Sequence, residues 1–153
     1  MAETLHGIPT DLTGVSAAEA MTAGVVTCPL ETPLADVARL MAERRIHCVV
    51  ARDADEPTDE LWGVVSDLDL VAAASAGNLE RQTAGGIAAT PALTVTSDET
   101  LQRAAQLLTE HAVTHLIVVD PDSGTPVGVL STLDVARAVA TLAVDDEPSG
   151  RRP

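Results

Sequence analysis

Apolar and polar positions alternate along this chain in a pattern that occurs twice. Leu34, Val37, Ala38 and Met41 form an apolar stripe at helical spacing, and Leu101, Ala104, Ala105 and Leu108 form a second at a constant offset, 101 − 34 = 67. Each stripe is followed by a short apolar run, Ile46 to Ala51 and Val113 to Val119, of the length and β-branched character expected of a strand. Each copy closes on a matched octet: Gly63-Val64-Val65-Ser66-Asp67-Leu68-Asp69-Leu70, and Gly128-Val129-Leu130-Ser131-Thr132-Leu133-Asp134-Val135. The octets are offset by 128 − 63 = 65, so the first copy carries two extra residues in the polar loop between Arg52 and Glu60.

The flanking signals turn these runs into elements. Ser16-Ala17-Ala18-Glu19 has capping-box spacing and predicts a short helix through Met21, ended by Gly24. Val25 to Cys28 predicts a strand, and Thr32-Pro33 an N-cap followed by proline at the first turn of a helix running to about Arg45. Strands are expected at Ile46 to Ala51 and Leu61 to Val65, around the acidic turn Asp53 to Glu60, then a helix from Asp67 to Ala76 stopped by Gly77. The second copy reads the same way: strand Leu93 to Val95, helix Glu99 to His111, strands Val113 to Asp120 and Pro126 to Leu130, helix Thr132 to Ala143. Each copy is therefore β-α-β-β-α. The division expected is an arm over 1–14, a first repeat over 15–77, a polar connector over 78–90 holding Gly85-Gly86, a second repeat over 91–143, and a charged, disordered tail over 144–153. One such unit has too little to cover its sheet, so an α/β (α+β) fold is expected, with two repeats packed sheet to sheet about a pseudo-twofold axis and clefts where they meet.

Composition narrows the chemistry. The 153 residues include 23 acidic side chains against 9 arginines and no lysine, a net charge of −14. Such a surface repels phosphate backbones and anionic lipid, and the lack of Phe and Tyr, with Trp62 alone, removes the platforms on which bases stack. Nucleic acid and membrane partners are therefore not expected. Without lysine neither a Schiff base nor a P-loop is possible. No apolar run approaches the roughly 20 residues that span a bilayer, and Met1-Ala2-Glu3-Thr4 lacks a secretory pattern, so a cytoplasmic protein is expected. Cys28 and Cys48 begin apolar strands and read as buried free thiols. Trp62 reads as a core or dimer-contact residue.

Two β-α-β-β-α copies, each closing on Gly-apolar-apolar-Ser/Thr-x-x-Asp, resemble a tandem pair of CBS domains, the Bateman module. The resemblance covers about residues 15–143, and the Val113 to Asp120 stretch with its Pro121-Asp122-Ser123-Gly124 turn is also similar to that family. It implies a regulatory ligand, AMP, ADP, ATP or S-adenosylmethionine, in up to two clefts, with no required cofactor. Ser66 and Ser131 stand where a strand passes into a helix, a place that favours anions, and Asp69 and Asp134 one turn on can accept two ribose hydroxyls. By the same resemblance Thr27 and Thr94 border the adenine. The alternative for each Ser-x-x-Asp is an ordinary helix cap, and the two roles are compatible.

The phosphate end departs from the family. Leu68 and Leu133 precede the aspartates where many members carry a basic residue, leaving His47, His115 and Arg137, one turn beyond Asp134, as the cationic candidates. A monophosphate or an adenosine compound with an uncharged tail is thus preferred to a triphosphate. His111 and His115 leave a helix and enter a strand, so they do not form a helical metal pair, and no metal is expected. No catalytic constellation is found, so the chain is not expected to be an enzyme. The functional expectation is a regulatory sensor of an AMP-like ligand. The alternative is a ligand-free protein interaction and dimerisation module. In either case the Ala-rich helices Asp67 to Ala76 and Thr132 to Ala143 are expected to form the faces of a homodimer acting on an unknown effector protein.

Overall fold

The computed structural model describes residues 11–53 and 61–145. In chain order they form α1 (Ala17–Ala20), β1 (Thr22–Ala23), β2 (Thr27–Pro29), α2 (Leu34–Arg44), β3 (Cys48–Arg52), β4 (Leu61–Ser66), α3 (Asp67–Ser75), α4 (Ala84–Ile87), β5 (Thr94–Thr96), α5 (Leu101–Glu110), β6 (His115–Val119), β7 (Pro126–Ser131) and α6 (Thr132–Asp145). Single 3-10 turns lie at Leu12–Gly14 and Leu79–Arg81. Most of the expected arm (1–10), the turn at 54–60 and the tail at 146–153 lie outside the described residues.

Residues 25–93 form one compact unit. Its sheet has the order β2-β3-β4, with β2 parallel and β4 antiparallel to β3. Leu34, Val37 and Met41 of the predicted stripe are buried, and they pack with Cys28, Val49, Ala51, Val65 and Ala73. Burying each larger side chain contributes roughly 1.5–3 kcal/mol. The helix starts differently from expectation: Pro33 itself is the N-cap, and no side chain caps α2. Proline needs no backbone partner there, having no N–H to satisfy.

The other unit joins residues 11–24 to residues 94–145. Its sheet runs β1-β7-β6-β5. β5 is parallel and β7 antiparallel to β6, so β5-β6-β7 repeats β2-β3-β4 register for register. Leu101, Ala104 and Leu108 of α5 are buried with Leu116, Ile117, Val118 and Leu130. Both stripe helices end without glycine: Arg45 and Ala112, 67 residues apart, take left-handed φ of 55° and 52°.

The short elements before each repeat pack in a reciprocal way. Ala17 N–H bonds Glu99 O at 2.8 Å and Leu101 N–H bonds Val15 O at 2.7 Å. At equivalent positions Ala84 N–H bonds Thr32 O at 2.8 Å and Leu34 N–H bonds Gln82 O at 3.1 Å. Hence α1, ahead of the first repeat in sequence, belongs to the unit of the second, and α4 in the connector belongs to the unit of the first. α1 carries the predicted capping box between Ser16 and Glu19 and ends at Ala20 with Met21 as its C-cap, one residue short of the expected end at Met21. The octet glycines make room for these additions. A Cβ on Gly128 would lie 2.7 Å from Thr22 O, and one on Gly63 would lie 2.5 Å from Ala89 O.

Trp62 is not a core residue. It is 45% exposed on β4, and its indole N–H donates to Gly85 O at 3.2 Å, tying the strand to α4.

Candidate functional site

Both Ser-x-x-Asp motifs fold into the same reciprocal cap. At α3, Ser66 N–H and Oγ–H donate to Asp69 Oδ2 at 2.8 and 3.0 Å, while Ser66 Oγ accepts from Asp69 N–H at 3.3 Å. At α6, Ser131 N–H and Oγ–H donate to Asp134 Oδ2 at 2.8 and 3.0 Å, and Ser131 Oγ accepts from Asp134 N–H at 3.2 Å. The helix start dictates this arrangement, because its first amides have no partner within the helix. Capping occupies one carboxylate oxygen of each aspartate.

The second oxygen distinguishes the two copies. Asp134 is 7% exposed, and its Oδ1 lies 3.7 Å from a guanidinium nitrogen of Arg137, one turn along α6. Asp69 is half-buried. By the octet offset, 137 − 65 = 72, the counterpart of Arg137 is Ala72, so the first copy has no cation at that place.

Asp134 and Arg137 also line a groove of about 430 Å³ between α6 and α1, to which Val15, Met21 and Thr22 contribute. The sequence had located α1 through its capping box, but not the helix it faces. Of the nine residues singled out, these two line the groove. Ser131 anchors Asp134 beneath it. His115 pairs in register with Ser131 on β6 and is 9% exposed, its Nδ1 2.8 Å from Thr114 Oγ1. Thr94 is exposed at the start of β5, opposite Ile117.

The remaining candidates lie in the unit of residues 25–93. Thr27 is half-buried on β2 opposite Val50. Cys48, the counterpart of His115, pairs with Ser66. His47 is exposed, with its Nδ1 3.0 Å from Asp67 Oδ2, and its carbonyl accepts from Asp67 N–H at 2.9 Å. Thr114 and Thr132 repeat the backbone bond at 3.0 Å. Among the described residues no group of three His, Cys, Asp or Glu side chains could hold a metal ion. Cys28 and Cys48 are buried thiols not joined in a disulfide, and burial pushes the Cys28 thiol up from its ordinary value. No described helix is long and apolar enough to cross a membrane.

Comparison with known proteins agrees with this architecture. A CBS domain model matches residues 17–76 and again 84–141. The meiotically up-regulated gene 70 protein of Schizosaccharomyces pombe is 32% identical over 116 residues; the match takes in 69% of this chain and 16% of that protein's length. The AMP complex of a CBS domain protein from Pyrobaculum aerophilum is 28% identical, with a TM-score of 0.70 over 85% of this chain and 99% of that one. Hypoxic Response Protein I with two coordinated zinc ions is 26% identical, with a TM-score of 0.63 over 80% of this chain and 98% of that one. With two matched repeats spanning most of its length, the chain belongs to the CBS domain family.

Proposed function

We propose that this chain is a regulatory module, without catalytic activity, that binds an AMP-like adenine-containing ligand. The observation that carries the reading is the buried Asp134, held by Ser131 through one oxygen and presenting the other at a groove bordered by Arg137. A carboxylate in that state accepts two ribose hydroxyls without further rearrangement of its helix. The AMP-bound relative at 28% identity supports the ligand class. ADP, ATP and S-adenosylmethionine belong to the same chemical set, and in this reading His115 stands beside Ser131 at the start of α6. A homodimer in the cytoplasm, acting on an effector protein, completes the proposal.

Calorimetry of the full chain with AMP tests it. A ligand at 100 times its dissociation constant adds about 2.7 kcal/mol, which raises the melting temperature of a chain this size by roughly 5–10 °C. Asp134→Ala removes that shift, whereas a residue serving only as a cap costs about 1 kcal/mol of stability and has no binding to lose. Absence of any shift with adenine compounds would overturn the ligand reading in favour of a protein interaction module.

A further inference from the structure

The charges lining the groove point to a more specific property of the same site, one that rests on the ligand reading above. Among the lining residues Arg137 is the sole cation, and Glu19 of α1 and Asp134 of α6 carry negative charge beside it. Arg137 is 69% exposed, and at 3.7 Å its contact with Asp134 Oδ1 is a loose ion pair. With the guanidinium largely in solvent and the contact long, opening it costs the arginine little, while the buried carboxylate requires a new partner in its place. The guanidinium therefore covers the oxygen that a ribose would use, and is free to leave it.

We infer that Glu19, Asp134 and Arg137 form a single-phosphate filter in which Arg137 releases the Asp134 carboxylate and takes up one phosphate group. An incoming nucleoside monophosphate satisfies both partners of the opened pair: its ribose hydroxyls replace the guanidinium on Asp134 Oδ1, and its phosphate replaces the carboxylate on Arg137. A second or third phosphate meets no further cation among the lining residues, and meets the Glu19 carboxylate instead. Nucleoside without phosphate leaves the displaced guanidinium unpaired. The filter belongs to the unit of residues 11–24 and 94–145, because Ala72 stands at the Arg137 position of the other repeat.

The experiment is a calorimetric titration of the full chain with adenosine, AMP and ATP, repeated for Arg137→Ala and Glu19→Gln. Glutamine at residue 19 keeps the capping box with Ser16 while removing its charge. The wild-type protein should favour AMP over adenosine by about fivefold, the scale of one exposed ion pair. Arg137→Ala should bring that ratio to about one, and Glu19→Gln should narrow the gap between AMP and ATP. AMP binding with an unchanged ratio in Arg137→Ala would overturn the filter while leaving the ligand reading intact. No binding of any of the three to the wild-type chain would overturn both.

Discussion

Gly128 lies against Met21 so closely that a Cβ at residue 128 would sit 2.5 Å from the Met21 sulfur and 2.7 Å from the carbonyl of Thr22. The first contact could yield by rotation of a flexible side chain. The second involves the backbone of β1, which is paired antiparallel to β7 through Thr22↔Val129 and Ala23↔Gly128. Gly128→Ala therefore has to push β1 away from the sheet edge, and with it two residues that line the groove. A loss of about 1–3 kcal/mol is expected from such overpacking, read as a lower urea midpoint. Gly63→Ala should behave alike, since its Cβ would meet Ala89 O at 2.5 Å. An unchanged midpoint in both variants would show that the added segments are not held at these glycines.

The octet glycines illustrate what the sequence could and could not disclose. Their recurrence at a fixed offset was plain, as were the stripes of α2 and α5, whose buried positions came out as the helical period requires. The segments that press on the glycines were not legible. β1 has two residues, and α4 has four including Gly85-Gly86, too short for any period to register. Pairing with elements distant in sequence supports both of them. The same reason hid the groove, since nothing local in Met21 or Thr22 says that α6 lies opposite. The asymmetry between the motifs was legible in part, because Arg137 and Ala72 occupy matching positions; the groove that Asp134 lines together with α1 was not.

The turn between β6 and β7 offers a pH prediction on the acid side. Backbone N–H groups of Ser123 and Asp122 donate to Asp120 Oδ1 at 3.0 and 2.9 Å, and these bonds hold its carboxyl below the ordinary 3.8. A carboxyl depressed in the folded state contributes stability that is present above its unfolded value and is lost as pH falls through the folded one. Asp120→Ala should therefore lower stability at neutral pH and flatten the part of the acid limb that lies below pH 3.8. Parallel acid limbs for variant and wild type would count against the turn's contribution.

Cys28 gives the opposite sign. It is buried among Leu34, Val37 and Val49, and burial is the main cause that raises its thiol above the ordinary 9.0, against a hydrogen bond with Thr32 that lowers it. The folded chain thus keeps the proton longer than the unfolded one. Its contribution is fully present below pH 9.0 and is lost as pH rises through the folded value. Cys28→Ala should remove part of the alkaline decline in stability. In the native wild-type protein Cys28 should also resist thiol reagents until the chain unfolds. Rapid modification of native Cys28 at pH 8 would contradict the burial.

The outer faces of the two octet helices carry the last prediction. Leu68 and Val71 on α3 are each 62% exposed, and Leu133 and Val139 on α6 are 48% and 49% exposed. Leu68 and Leu133 are octet equivalents, 133 − 68 = 65, so both repeats present an apolar side chain at the same helical position. A surface repeated in this manner suits a second copy of the same chain, because a twofold operator brings like faces together. Light scattering at micromolar concentration should give about twice the monomer mass of 15.8 kDa. Val71→Glu combined with Val139→Glu should yield the monomer while leaving the fold intact, since neither side chain belongs to the buried set. A monomeric wild-type chain would remove the homodimer from the proposal. A double variant that stays dimeric would move the interface away from α3 and α6.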